Sequence, residues 1–157
     1  MGIYGTMWDS ASAAWPPGAA LRALYVNGKY ATRPATYGKG RVWIDVTGAA
    51  PHAASWLDVE TGDATPAHVP GWLDARDIPD DQGIYCSMDT LAAVEAAAAG
   101  RPHGLWIATL DGTAAPLMPI TGGVLVAVQC LPAAMLGFDA DMSVIVSESY
   151  WLAHALI

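Results

Sequence analysis

The chain has 157 residues and a formal net charge of −8, and 54% of its residues are hydrophobic while only 14% are charged. This length predicts a single domain that spans residues 1–157, and the composition excludes a disordered chain. The negative charge disfavours nucleic acid and membrane surfaces as partners, because phosphate groups would repel the protein.

Eight short apolar runs follow one another along the chain, and each has the length and composition of a strand. They cover Ile3–Trp8, Ala23–Val26, Val42–Val46, Ser55–Val59, Gly83–Cys86, Leu105–Thr109, Val124–Gln129 and Met142–Val146. Helical patterns lie between several of these runs and after the last one. They cover Ser10–Trp15, Pro66–Arg76, Asp89–Ala99 and Ser149–Ile157, while residues 31–40 and 111–123 are predicted to be loops.

The order of these elements indicates the fold class. Strands that alternate with helices predict parallel pairing through right-handed crossovers. Eight such strands predict an α/β protein with a minimal (β/α)8 TIM-like barrel in which some helices are shortened or missing. An open doubly wound sheet is the alternative, although neither a GxGxxG motif nor a Walker loop follows any predicted strand.

Carboxylates fall at several of the predicted strand ends, which is where parallel barrels carry their chemistry. Asp58 and Glu60 lie two residues apart, so they point to the same face of one strand, roughly 6 to 7 Å from each other. Like charges at such a distance raise one pKa, which can keep one carboxyl protonated as an acid while the other stays ionised. Asp9, Asp45 and Asp141 lie near other strand ends, and closure of the sheet would bring them to this pair.

A second interpretation of the Asp-x-Glu triplet remains open, because such triplets also occur in solvated loops and at helix N-caps. Asp63 and Thr65 could supply the cap instead. Paired carboxylates otherwise indicate glycoside hydrolysis.

Several further side chains are candidates for substrate binding. Trp8 and Trp106 could stack on sugar rings or could fill the core. Tyr85 could position a substrate carbonyl or could pack, and Gln129 could bind substrate or tie the acidic floor together. The four histidines have no spacing that predicts a metal site.

Short segments in the order of the predicted strands resemble the glycoside hydrolase family 25 muramidases and the related glycoside-hydrolase-like barrels of bacteria and phages. These segments are Asp9-Ser10, LDVE at 57–60, IYCS at 84–87, LWIA at 105–108, AVQ at 127–129 and DMSVI at 141–145. The stretch between Asp9 and Asp58 is shorter than is usual in the family, which indicates that groove-building loops are trimmed.

The resemblance implies a flattened barrel that cleaves the β-1,4 bond between N-acetylmuramic acid and N-acetylglucosamine, without a metal or cofactor. It implies that Glu60 is the general acid and that Asp58 orients the acetamido group of the substrate as that group attacks the anomeric carbon. Asp9 and Asp141 would line the same floor. The implied partner is peptidoglycan or another polysaccharide.

The competing hypothesis is a catalytically silent module that binds glycans or serves as a structural part of a larger assembly, such as a phage particle with protein partners. A fold can persist while its site changes function. The N terminus lacks the pattern of a signal peptide. We therefore expect cytoplasmic synthesis, with a phage-encoded product that acts at the cell wall or is carried in a virion.

Overall fold

The computed structural model describes residues 2–32, 39–76, 83–113, 120, 122–137 and 139–155. Eight strands form a closed barrel in chain order, which confirms the predicted eight-stranded barrel. The strands are β1 (Gly5–Asp9), β2 (Leu21–Tyr25), β3 (Arg41–Asp45), β4 (Trp56–Val59), β5 (Gly83–Ser87), β6 (Gly104–Ala108), β7 (Val124–Leu131) and β8 (Asp141–Ile145).

The direction of β8 corrects the predicted topology. Neighbouring strands from β1 to β7 pair in parallel, but β8 is antiparallel to both β7 and β1. The prediction of parallel pairing is therefore wrong at this strand. Residues 132–140 connect β7 to β8 and form the shortest connection between consecutive strands, and an antiparallel strand needs no crossover to the far end of the barrel.

This reversal decides where one acid lies. Because β8 begins at the end of the barrel where β7 finishes, its first residue, Asp141, lies beside the C-terminal ends of the other strands. Asp9, the last residue of β1, is the direct Cα partner of Asp141. We call this end of the barrel, at which β1 to β7 finish and β8 begins, the mouth.

The helices in the described residues are few and short. They are α1 (Val69–Asp74), which follows a 3-10 turn at Pro66–His68, α2 (Leu91–Ala98), α3 (Ala133–Leu136) and α4 (Glu148–His154). The helical patterns at Pro66–Arg76, Asp89–Ala99 and Ser149–Ile157 are confirmed in their described parts. Residues 156–157 lie outside the described residues, as do 33–38, 114–119 and 121 of the predicted loops.

The predicted helix at Ser10–Trp15 is wrong, and the short helix α3 was not predicted. Ala13 adopts a left-handed φ of 59°, and the Ser10 hydroxyl accepts a hydrogen bond from the Ala14 N–H, so the segment forms a turn. Two prolines follow directly, at residues 16 and 17, and they favour an end to any helix there.

Large aromatic side chains fill the barrel interior. Trp56 donates its indole N–H to the Tyr150 hydroxyl from α4 at 3.1 Å, which closes the end of the barrel opposite the mouth. Trp106 packs edge-on against Trp56 and Tyr85, with ring centroids at 5.8 and 4.9 Å. The interior is therefore a solid core, and room for a ligand must be sought at the mouth.

The outer layer forms a second core between the sheet and the helices. Leu57 and Val59 point outward, where they join residues such as Trp72 of α1 and Val94 of α2. Strand β4 is thus buried on both faces. Trp56 and Asp58 alternate with these two residues and face the interior. Glu60 lies two residues after Asp58 and therefore continues on the same face, so β4 holds both acids at the mouth.

Candidate acid site at the barrel mouth

Four of the five predicted acids gather at the mouth. Asp58 and Glu60 share the inward face of β4 and its end, as the two-residue spacing predicted. The charge of Glu60 acts on both Asp9 and Asp58, and the charge of Asp141 acts on Asp9 and Glu60. Closure of the sheet therefore brings together carboxylates that are far apart in sequence.

Asp9 is buried at the end of β1, with 6% of its surface exposed. One carboxylate oxygen accepts a hydrogen bond from the Tyr25 hydroxyl at 3.0 Å, and the other, Oδ1, has no partner among the described residues. Burial, followed by the charge of Asp141, raises the pKa of Asp9 to about 7, although the Tyr25 hydrogen bond opposes this shift. Asp9 is therefore poised to exchange a proton near neutral pH.

Asp58 is buried to a similar degree, with 5% exposure, and its Oδ1 atom also lacks a partner in the described part of the chain. Burial raises its pKa well above the usual value, and the charges of Glu60, Asp63 and Asp9 add to the effect in that order. Asp58 is consequently protonated under conditions in which an ordinary aspartate is ionised.

Glu60 is the more accessible member of the pair, because it lies just after β4 and is only partly buried. Burial raises its pKa, whereas a hydrogen bond from the Tyr85 hydroxyl lowers it. Tyr85 itself has a pKa well above the usual range, first because it is buried and then because Glu60 is near. Tyr85 therefore serves as a hydrogen-bond donor to Glu60.

Asp63 and Tyr25 belong to the site, although neither was among the predicted site residues. The Asp63 N–H donates to the Glu60 carbonyl at 3.1 Å, and Gly62 has a φ of 99°, as in a turn with glycine at its third position. This turn folds Asp63 back towards Asp58 and Glu60. The Glu-Thr-Gly-Asp sequence could have revealed the turn, whereas the contact between Tyr25 and Asp9 depends on barrel closure.

A cavity of about 160 Å³ opens beside Asp9 at the mouth. Its lining includes Asp9, Ser10, Tyr25, Tyr30, Asp139 and Asp141. Two of the gathered acids thus border open space, and Glu60 is partly exposed.

Gln129 also faces inward and is the strand partner of Ser143 on β8. Ser143 lies two residues after Asp141, so Gln129 sits one layer of side chains below Asp141. Only 2% of the Gln129 surface is exposed, and its Oε1 atom has no partner among the residues described. The sequence left two roles open for Gln129, namely binding of substrate and a hydrogen bond that links the acids to one another. Among the described residues, the Gln129 Oε1 atom accepts no hydrogen bond that would make such a link.

Asp45 was predicted near the acids, but the structure places it on the outer face of β3. Its two oxygens accept hydrogen bonds from Asn27, from the backbone N–H groups of residues 47, 48 and 50, and from Trp72 at 2.9 Å. These hydrogen bonds lower the pKa of Asp45 despite the opposing effect of burial. Asp45 therefore holds the loop after β3 and has no capacity left for a substrate.

Neither tryptophan proposed for sugar stacking is available at the mouth. Trp106 is completely buried, and its indole N–H donates to the Ser143 hydroxyl at 2.8 Å. Trp8 lies between Met7 and Asp9, which point inward, so its side chain is on the outer face of β1. Core packing is thus the correct interpretation for Trp106, and Trp8 lies away from the acids.

No group of three or more metal-ligating side chains with suitable geometry occurs in the described residues. Comparison of the chain with protein-family models, curated proteins and solved structures finds no match. Within the described ranges, no helix has both the length and the apolar character needed to cross a membrane.

Proposed function

We propose that this protein is a glycoside hydrolase that acts on peptidoglycan or a related polysaccharide, as its resemblance to the family 25 muramidases implies. We further propose that its barrel is a TIM-like (β/α)8 variant with a reversed last strand. The observation that carries the functional proposal is the Asp58–Glu60 pair, whose two members have raised pKa values and face one mouth.

The division of roles follows from accessibility. Glu60 is partly exposed, so it can reach a glycosidic oxygen and donate its proton to the leaving sugar. Asp58 is buried just below, where its unpartnered Oδ1 can accept the N–H of an acetamido group in an arriving substrate.

The reaction would use the substrate's own nucleophile. The acetamido carbonyl oxygen attacks the anomeric carbon as the glycosidic bond breaks, and Asp58 holds the acetamido group in place because its Oδ1 accepts the acetamido N–H. Water then attacks the anomeric carbon, the bond from that carbon to the acetamido oxygen breaks, and the water gives a proton to Glu60, which restores the acid. Tyr85 keeps the Glu60 carboxyl oriented through its hydrogen bond.

The test is release of reducing sugar from purified peptidoglycan between about pH 4 and 8. We expect release by the unaltered protein and its loss in Glu60→Gln, with an unchanged circular dichroism spectrum. The matched control is Glu148→Gln, which removes one exposed acid at the opposite end of the barrel and should keep full activity. If the unaltered protein releases no sugar, the proposal is refuted.

One observation favours the second candidate, a catalytically silent glycan-binding or structural module, for example of a phage particle. The cavity of about 160 Å³ is smaller than the pockets of about 300 to 1,000 Å³ that usually enclose small ligands. This candidate predicts no hydrolysis, together with either glycan binding or a defined assembly that Glu60→Gln leaves unchanged. Robust hydrolysis by a monomer would eliminate it.

A further inference from the structure

The charges around the mouth are unbalanced. Among the described residues, every charge that mainly influences the pKa values of Asp9, Asp58 and Glu60 is another carboxylate. Each carboxylate that ionises there makes ionisation of the others more costly, because like charges repel.

Three buried acceptor atoms at the inward strand ends also lack donors. They are Oδ1 of Asp9, Oδ1 of Asp58 and Oε1 of Gln129, which come from three different strands and have no partner among the described residues. Each side chain is more than nine-tenths buried. Buried acceptors without donors are costly, and of these three side chains Asp9 is the one that lines the cavity, so the cavity favours a ligand that brings N–H or O–H groups to Asp9.

A neutral sugar could satisfy these acceptors, but it would leave the repulsion between the carboxylates. A protonated amine does both, because it donates up to three hydrogen bonds and carries a positive charge. The chain already places one ammonium group at the rim of the cavity. The Lys29 ammonium lies 4.6 Å from the ring centre of Tyr30, which lines the cavity, and the charge of Asp63 attracts this ammonium.

The size of the cavity agrees with this ligand. Its volume of about 160 Å³ is smaller than that of the pockets which usually enclose a whole small ligand, and it suits an ammonium group and the atoms next to it better than a whole sugar chain. Metal coordination is a poorer match, because the described residues contain no suitable cluster of three ligands.

We propose that the mouth binds a protonated primary amine, and that the polysaccharide it recognises carries free amino groups, as in a glucosamine-containing chain. The polysaccharide part rests on the proposed function, whereas the amine part does not. A bound ammonium would favour the ionised form of Asp9, so binding should release a proton near neutral pH. Within the described residues, the titratable groups that face Asp9 are Tyr25 of β2, Tyr85 of β5, Asp141 of β8, and Asp58 and Glu60 at the end of β4.

Isothermal titration calorimetry of the full chain with two matched ligands tests this inference. One ligand is a tetramer of glucosamine, and the other is the same tetramer with every amine acetylated. A charge-assisted hydrogen bond predicts that the glucosamine tetramer binds at least about tenfold more tightly at about pH 6. Its apparent enthalpy should also change with the ionisation enthalpy of the buffer, because a proton is released.

Two variants locate the effect. Asp9→Asn keeps the shape of the side chain but removes a charge, and it should reduce the preference for the amine to less than about threefold. Glu148→Gln removes a charge at the opposite end of the barrel and should leave the preference unchanged.

The outcomes separate this inference from the proposed function. Preference for the amine together with no release of sugar from peptidoglycan supports the inference and counts against the glycosidase. Equal binding, tighter binding of the acetylated tetramer, or binding of neither would overturn the inference. Hydrolysis of peptidoglycan that depends on Glu60 would leave the glycosidase standing in each of those cases.

Discussion

Substitution of Asp9 by Asn should stabilise the protein at neutral and alkaline pH. The folded protein keeps the Asp9 proton up to about pH 7, whereas the unfolded chain releases it near the ordinary value of 3.8. Between these values the folded state binds more protons, so its stability falls as the pH rises through this window. Asn cannot ionise, and its amide oxygen can still accept the hydrogen bond from Tyr25.

The size of the effect follows from the shift in pKa. A change from 3.8 to about 7 is roughly 3 units, which corresponds to about 4 kcal/mol in the free energy of unfolding once Asp9 is fully ionised. Removal of the Asp9 charge also relieves the repulsion on Asp58, which acts in the same direction. For a chain of this length, the stabilisation should raise the melting temperature by about 10 °C.

Urea unfolding of both proteins at about pH 4 and pH 8 provides the assay. We expect similar stabilities at the lower pH and a more stable Asp9→Asn protein at the higher pH. Glu148→Gln should change the free energy of unfolding by less than about 0.5 kcal/mol at either pH, because Glu148 is exposed. If the difference in stability between Asp9→Asn and the unaltered protein did not vary with pH, Asp9 would not keep its proton to a higher pH in the folded state than in the unfolded chain.

Three further predictions use other parts of the structure. Asp45→Asn should destabilise the fold by at least about 2 kcal/mol at pH 7 and by less in acid. The pKa of Asp45 is lowered, so its ionised form stabilises the folded state, and thermal unfolding at a series of pH values measures the loss. Tyr85→Phe should raise the pKa of Glu60, because it removes the hydrogen bond that lowers it, and a carboxyl-detected NMR titration would show the shift. Gly83→Ala should cost about 1 to 3 kcal/mol in urea unfolding, because its Cβ would lie 2.5 Å from the Gly104 carbonyl oxygen.

The strands of the barrel could be predicted because each is a short apolar run that is buried on one or both faces. The direction of each strand was harder to predict, because an apolar run has the same pattern whether its neighbours are parallel or antiparallel. Connection lengths do not resolve the direction, because residues 46–55, which join the parallel strands β3 and β4, are only one residue longer than the connection 132–140 between β7 and β8. The reversal of β8 and the position of Asp141 therefore became clear only from the structure.

The site was predictable where spacing alone fixes the geometry, as for Asp58 and Glu60. The site was not predictable where it depends on which face of a strand a side chain occupies. Strand β3 is buried on both faces, so its sequence does not reveal that Asp45 points outward. Trp106 shows the same limit: its indole N–H finds Ser143 across the barrel interior, a contact that only closure of the sheet creates.

Barrel closure gathers these acids into one buried, electrostatically coupled cluster at the mouth. Titration of the side-chain carboxyl carbons by NMR in uniformly ¹³C-labelled protein measures this directly. We expect a titration midpoint for Asp9 at about pH 7, and midpoints for Asp58 and Glu60 that also lie above those of ordinary carboxyls. Midpoints for all three at the values of free aspartate and glutamate, about 4, would contradict it.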